Sequence, residues 1–415
     1  MTLRTPSLSR ILGTAQTIIN LTRVSKSALK ISSFIVEPDL QACTISSMRQ
    51  MCSFMKWAGR QRAIQVSLVV ALAAGCNATN LDVEAPEQPK HPEVASKFIS
   101  TSDGRSLPLR VWPHSDPQII VLGIHGFNDY SKAFDPIAQS LMQIGGEIYA
   151  YDQRGFGANK DAGQWPGDQQ LIEDIRWVAK QLRRRHPGLP LIAIGESMGG
   201  ALVLRAASEP GSLSADGLVL LAPAVWGMQI MPWYQRWGLE VLNTLAPDMT
   251  FTGRGIQHLG IRPTDDPKVS RDLSEDPLFI KETRVSSLYG ISQLMDKALA
   301  HPMHFPLPTL VLYGLNDRII PPAPTCAWLS RLSYNADRVP AHVRFVVYPD
   351  GWHMLTRQTR AAEVTDDLRD WLMHFNRSQQ GISSAASPLA GAPQDPSPSL
   401  KPAQQAVCQR AGRFP

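Results

Sequence analysis

A mostly parallel α/β sheet, covered by helices on both faces and interrupted by one helical insert, is the fold this sequence predicts. Three observations point to it. Short continuous apolar runs recur along the chain, as expected of strands buried on both faces. Helical patterns lie between them, and strand and helix in alternation argue for a parallel sheet. Apolar residues make up 43% of the 415 and charged residues 19%, values that suit a soluble domain with a large core.

The elements follow in order. Residues 97–111 carry two β-rich runs around Asp103-Gly104, a hairpin signal. Buried strands are expected at Ile119–Ile124, Glu147–Tyr151, Leu191–Ile194, Gly217–Leu221, Thr309–Tyr313 and Val343–Tyr348. Helices are expected near 132–144, 168–186, 198–208 and 360–376. The rhythm breaks once, from Pro223 to Thr309, where no buried strand is evident. A structureless loop of that length does not suit a compact domain, so a helical cap over 224–304 is expected. Its Trp233 and Trp237, with Trp226 beside them, suit either a core of its own or a lipid-binding groove. The sheet core then covers 97–223 and 305–377. From 378 to 415 the chain is mainly Ser, Pro, Ala and Gln, too poor in large apolar groups to offset its ordering entropy, and is expected to lack structure.

Charge and cysteine usage exclude several function classes. The net charge of +5 is spread thinly, and the dense basic run, Arg183-Arg184-Arg185-His186, closes a helical pattern. Cations there complement the helix dipole, and no nucleic-acid signature accompanies them, so nucleic acid is excluded as a partner. The 5 cysteines form neither a metal-ligand spacing nor a disulfide framework. Pro302 and Pro306 break any helix that would align His301 with His304, and zinc needs three or four ligands, so no metal is expected.

The N-terminal stretch reads as a targeting signal. Lys56, Arg60 and Arg62 precede an apolar run, Ala63 to Ala74, which ends in Gly75-Cys76. A helix of that length covers about 18 Å, short of the ~30 Å bilayer core, so the run is a secretory signal and not a span. Leu72-Ala73-Ala74-Gly75-Cys76 resembles the lipobox of bacterial lipoproteins, with Ala73 where leucine is commoner. The resemblance implies that Cys76 is lipidated and begins the mature chain, with 77–96 as a tether. A lipid anchor at the bacterial envelope is then expected, with a cytoplasmic location as the alternative. Residues 1–54, rich in Ser, Thr and Arg, allow a transit peptide, but a lipobox behind one makes little sense. Translation starting at Met51 or Met55, not Met1, gives a signal of ordinary length.

The chemistry is carried by Gly195-Glu196-Ser197-Met198-Gly199, which leaves the strand Leu191–Ile194 and opens a helix. A G-x-S-x-G turn there is a nucleophile elbow. The serine backbone is strained, and the positions two before and two after it, Gly195 and Gly199, must lack side chains. A serine hydroxyl needs a base to remove its proton and a third group to orient that base. Asp317 follows the strand Thr309–Tyr313 and His353 follows Val343–Tyr348, so both sit at carboxyl strand ends, where open α/β sheets place their sites. Asp350 is the rival acid. Donors for a tetrahedral oxyanion are expected at the backbone N–H of Met198 and of Phe127, the latter in the loop His125-Gly126-Phe127-Asn128-Asp129.

Residues 97–376 resemble the monoacylglycerol lipase and lysophospholipase family of α/β hydrolases, a group often labelled by its relatives the serine aminopeptidases. The resemblance rests on His125-Gly126, Tyr151-Asp152-Gln153-Arg154-Gly155-Phe156-Gly157, Gly195 to Gly200, Ser274-Glu275-Asp276-Pro277-Leu278, Gly314 to Asp317 and Gly351 to His353. Ala158, the absence of a second histidine near Phe127, and Glu196 in place of a common histidine are departures from the family pattern. The resemblance implies the α/β-hydrolase fold, a cap admitting one acyl chain, a serine-acyl intermediate, no cofactor, and monoacylglycerol or lysophospholipid as the ester. Acyl transfer, peptide hydrolysis and non-catalytic lipid binding by a lipoprotein remain the alternatives.

Overall fold

The computed structural model describes residues 97–228, 231–252, 261–300, 305, 307–334, 343–379 and 397–412. The hairpin forms as expected: β1 (Lys97–Ser100) pairs antiparallel with β2 (Ser106–Trp112). The buried runs become β3 (Ile119–Ile124), β4 (Gly146–Tyr151), β5 (Leu191–Glu196), β6 (Gly217–Leu221), β9 (Thr309–Gly314) and β10 (Val343–Tyr348). They pair in parallel, and β2 joins the sheet antiparallel to β4. The order is β1-β2-β4-β3-β5-β6-β9-β10. The chain runs from β3 outward to β4, then crosses back to β5 on the other side of β3. That reversal opens a crevice beyond the carboxyl ends of β3 and β5, the switch point where such sheets bind ligands.

Strand alternation divides the core into two layers. Ile120, Leu122 and Ile124 face helices α2 (Asp168–Arg185) and α3 (Met198–Ser208), where Ile175 and Leu202 meet them. Val121, Ile192 and Val219 face α1 (Asp135–Leu141) and α8 (Ala361–Gln379), through Ile137, Leu368 and Leu372. Each such side chain contributes about 1.5–3 kcal/mol by leaving water. The basic run does fall in the last turn of α2, where Arg183 also donates to Leu189 O at 2.8 Å and pairs with Asp216 beyond the helix.

The stretch between β6 and β9 holds α4 (Trp233–Leu245), α5 (Pro267–Glu275), α6 (Val285–Ala300) and a small antiparallel pair, β7 (Thr250–Thr252) with β8 (Glu282–Arg284). Two findings bear on what was expected of this stretch. First, α6 belongs to the core and not to a cap: Leu294, Ala298 and Leu299 are buried, and the helix packs on α3. Second, Trp233 and Trp237 have no core of their own, being 74% and 66% exposed. Only Trp226 packs partly against the sheet core. Asn128 ties the insert down, donating to Thr283 Oγ1 at 2.6 Å and accepting from Ile280 N–H at 2.9 Å. The Ser274–Leu278 motif supplies a second tie, because Asp276 accepts from Tyr130 Oη at 2.7 Å.

The C-terminal expectation needs correction. Within 378–415, residues Ser397–Ala411 form a helix, α9, after α7 (Pro322–Tyr334) and α8. Leu400, Ala403 and Val407 lie at helical spacing and are buried against the core. Cys408, given no role from sequence, is disulfide-bonded to Cys326 on α7 across 82 residues. Closing so long a loop removes unfolded-chain entropy worth on the order of 4 kcal/mol. Among the described residues no helix is long and apolar enough to cross a membrane.

Candidate active site

At the end of β5 the chain turns so sharply that Ser197 adopts φ 54° and ψ −115°, a region costly for any residue with a side chain. The flanking glycines make the turn possible. A Cβ on Gly195 would fall 2.3 Å from Gly199 O, and one on Gly199 would fall 2.0 Å from Ile124 O. Both distances are far inside van der Waals contact. The serine is held there by its own backbone, since its N–H donates to Leu221 O at 2.9 Å and its carbonyl accepts from Ala224 N–H at 3.0 Å.

His353 and Asp317 reach Ser197 because the loops that carry them touch backbone to backbone. A Cβ on Gly314 would lie 2.4 Å from the Gly351 carbonyl carbon. Asn316 N–H donates to Gly351 O at 2.8 Å and Leu315 N–H to Tyr348 O at 2.9 Å. Asp317 is fully buried, and its Oδ1 accepts from the N–H groups of Ile319 and Ile320, each at 2.8 Å. Its Oδ2 faces His353 Nδ1 at 2.7 Å. A carboxylate only accepts, so Nδ1 carries the hydrogen and leaves Nε2 free to accept. Ser197 Oγ donates to that Nε2 at 2.9 Å. Burial pulls the His353 pKa down, but the Asp317 carboxylate, with a smaller push from Glu196, overrides it and holds the imidazole above its ordinary value.

The expected donors lie beside the serine. Met198 is the first residue of α3, where backbone N–H groups have no partner within the helix. The loop after β3 approaches so closely that a Cβ on Gly126 would sit 3.3 Å from Ser197 Cβ. That loop is fixed from behind. The buried His125 accepts Gln153 N–H at Nε2, 2.9 Å away, and donates from Nδ1 to Gly126 O at 2.8 Å. Phe127 packs edge-on to Phe156, with ring centroids 5.7 Å apart.

The structure thus brings Ser197, His353, Asp317, Met198 and the Phe127 loop together and leaves the rival acid outside. Asp350 is exposed and pairs with Arg360 at 2.7 Å. His374 bonds to Asp370 O within α8. His258, His301, His304, His342 and Cys76 lie outside the described residues. Sequence reading missed Arg357 and Asp129. Arg357 Nη2 donates to Asp129 Oδ2 at 2.6 Å and to Glu196 Oε2 at 2.8 Å, both carboxylates being buried and the Arg357 side chain 10% exposed. Nothing local in the sequence pairs residues so far apart.

Comparison with known proteins shows the family and the fold. Residues 115–360 match the family model described as "Serine aminopeptidase, S33". The chain is 30% identical over 272 residues to a monoacylglycerol lipase of Mycolicibacterium smegmatis, covering 63% of this chain and 91% of the relative. Human monoglyceride lipase is 25% identical over 303 residues, 70% of this chain and 93% of its own. A crystallised soluble variant of Saccharomyces cerevisiae monoglyceride lipase, bound to a substrate analogue, superposes with a TM-score of 0.57 at 20% identity. It covers 70% of this chain and 98% of that one. The chain belongs to the serine aminopeptidase S33 family of hydrolases and has the α/β-hydrolase fold.

Proposed function

We propose that this protein is a serine ester hydrolase that cleaves single-chain lipid esters, monoacylglycerols or lysophospholipids. The observation that carries the reading is the continuous hydrogen-bonded path from Ser197 Oγ through His353 to buried Asp317. Ser197 attacks the ester carbonyl while its proton passes to His353 Nε2. The N–H groups of Met198 and Phe127 receive the charge on the carbonyl oxygen, each such donor stabilising the transition state by ~3 kcal/mol. His353 returns the proton to the departing alcohol, leaving the acyl group on Ser197. It then takes a proton from water, which releases the fatty acid and restores the serine. No step asks for a cofactor. The lipid class is supported by the relatives named above and by the exposed aromatic face of α4, where Trp233, Tyr234 and Trp237 stand in solvent.

Purified protein should release fatty acid from a monoacylglycerol dispersion, and kcat/KM should climb with acyl length from acetate upward. Turnover confined to short soluble esters would contradict the lipid reading. In the same assay the neutral imidazole is the active form, so kcat/KM should rise with pH. Because His353 is held above the ordinary value near 6.5, the half-maximum should fall above pH 6.5. A half-maximum at or below that value would count against His353 as the base.

We further propose that the protein is held at the bacterial envelope by a lipid on Cys76. The disulfide between Cys326 and Cys408 supports an oxidising compartment, since cytosolic thiols are kept reduced. Cys76→Ala should abolish metabolic acyl labelling and release the protein from the membrane fraction; unchanged fractionation would contradict the anchor.

A further inference from the structure

The residue before the nucleophile is one of three members of a buried charge cluster that the reaction as described does not use. Glu196 closes β5, Asp129 lies in the loop after β3, and Arg357 follows His353 by four positions. Their side chains are 5%, 3% and 10% exposed. A single nitrogen, Arg357 Nη2, bonds both carboxylates. Asp129 Oδ1 also accepts Tyr130 N–H at 2.8 Å, and Arg357 O accepts from Thr264 Oγ1 at 2.6 Å. Buried Glu196 Oε1 and Arg357 Nε have no hydrogen-bond partner among the described residues.

Stability does not account for this arrangement. Taking three charges out of water is costly, and a well-packed apolar replacement is often as stable or more so. A network with unpartnered polar atoms is costlier still. What the cluster does supply is a mechanical link between three loops that meet at Ser197. We propose that Arg357, bonded to Asp129 on one side and Glu196 on the other, is a positioning residue. It locks the Gly126–Phe127 loop and the His353 loop against the Ser197 turn. The inference rests on the ester hydrolase reading above, because its purpose is to hold oxyanion donors, nucleophile and base in one fixed arrangement. A shift of about 1 Å among such groups costs roughly a hundredfold in rate.

The cluster also acts on His353 by charge. The charged groups facing the imidazole are Asp317, Glu196 and Arg357; the two carboxylates favour its cation and the guanidinium opposes it. Around Glu196 stand Arg357, Asp129 and His353, and burial raises the Glu196 pKa above its ordinary value. Removing the Glu196 charge while keeping its shape should therefore make His353 easier to deprotonate.

The test uses the full-length protein and three variants, with two readouts. One is the pH dependence of kcat and KM on a p-nitrophenyl ester. The other is the NMR titration of the downfield Nδ1 proton of His353, which requires no turnover. In Glu196→Gln, kcat should fall about tenfold with KM within about twofold, and both midpoints should drop by about half to one pH unit. The neutral triple variant, Asp129→Asn with Glu196→Gln and Arg357→Met, leaves no unpaired charge of this cluster to hinder folding. Its kcat should fall roughly a hundredfold with KM little changed. Arg357→Lys, a point charge in place of a fork, should lie between wild type and triple variant. A folded triple variant with wild-type kcat and an unmoved His353 titration would overturn the clamp. If the titration shifts as expected while the wild-type protein turns over no ester, the hydrolase reading fails and the clamp is upheld.

Discussion

Replacing Ser197 by alanine is expected to lower ester turnover by about a million-fold, to the level left by binding and oxyanion stabilisation alone. The hydroxyl is the attacking group in the proposed chemistry, and no other nucleophile shares its hydrogen bond to His353 Nε2. The substitution should be structurally mild. Alanine keeps the Cβ and accepts the same positive φ at the same cost, and the bonds that hold the turn are to backbone atoms, Leu221 O and Ala224 N. Thermal unfolding should therefore stay within a few degrees of wild type while kcat collapses. His353→Ala should produce a loss of similar size, and the double variant should lose little more, because the two act as one unit. Losses that multiply in the double variant would contradict that coupling.

Asp317→Asn is expected to cost roughly ten thousand-fold in kcat, through the identity of one hydrogen. Asp317 Oδ1 accepts two backbone N–H groups, from Ile319 and Ile320. An asparagine must keep its oxygen there, because an amide nitrogen facing two donors would leave all of them unpaired. Its NH2 group then points at His353 Nδ1. The imidazole must accept that hydrogen bond at Nδ1, which moves its own hydrogen to Nε2, where it faces Ser197 Oγ and cannot act as a base. Geometry survives and the tautomer is wrong. Asp350→Asn, by contrast, removes only an exposed ion pair with Arg360 and should leave kcat within twofold. If Asp350→Asn gave the larger loss, the assignment of the acid would be reversed.

How much of this could be read without coordinates depended on whether the signal was local. The runs Ile119–Ile124 and Leu191–Ile194 carry no polar side chain, and the glycines around Ser197 stand where steric exclusion demands them, so element and site were legible together. Asp317 and His353 were legible because each follows such a strand within a few residues. The Asp129–Arg357–Glu196 cluster was not, since its partners lie 228 and 161 positions apart and only the folded sheet makes them neighbours. Glu196 stood in the sequence as an oddity without a reason until Arg357 was seen beside it. The last helix was obscured differently. Leu400, Ala403 and Val407 do form a helical stripe, but it is thin and lies among Pro and Ser, and its main tether is a cysteine whose partner sits on another helix. The insert was read as one body because it lacks a buried strand, yet α6 packs into the core while α4 stands in solvent. Periodicity alone does not separate a core helix from a surface one.

The shortest route to the central claim is covalent. Incubation of the full-length protein with a fluorophosphonate, followed by intact-mass and peptide mapping, should yield one adduct, on Ser197. Labelling should be abolished in Ser197→Ala and strongly slowed in His353→Ala. A folded protein that gains no adduct, or gains it on another residue, would show that the hydroxyl at the end of β5 is not the activated group.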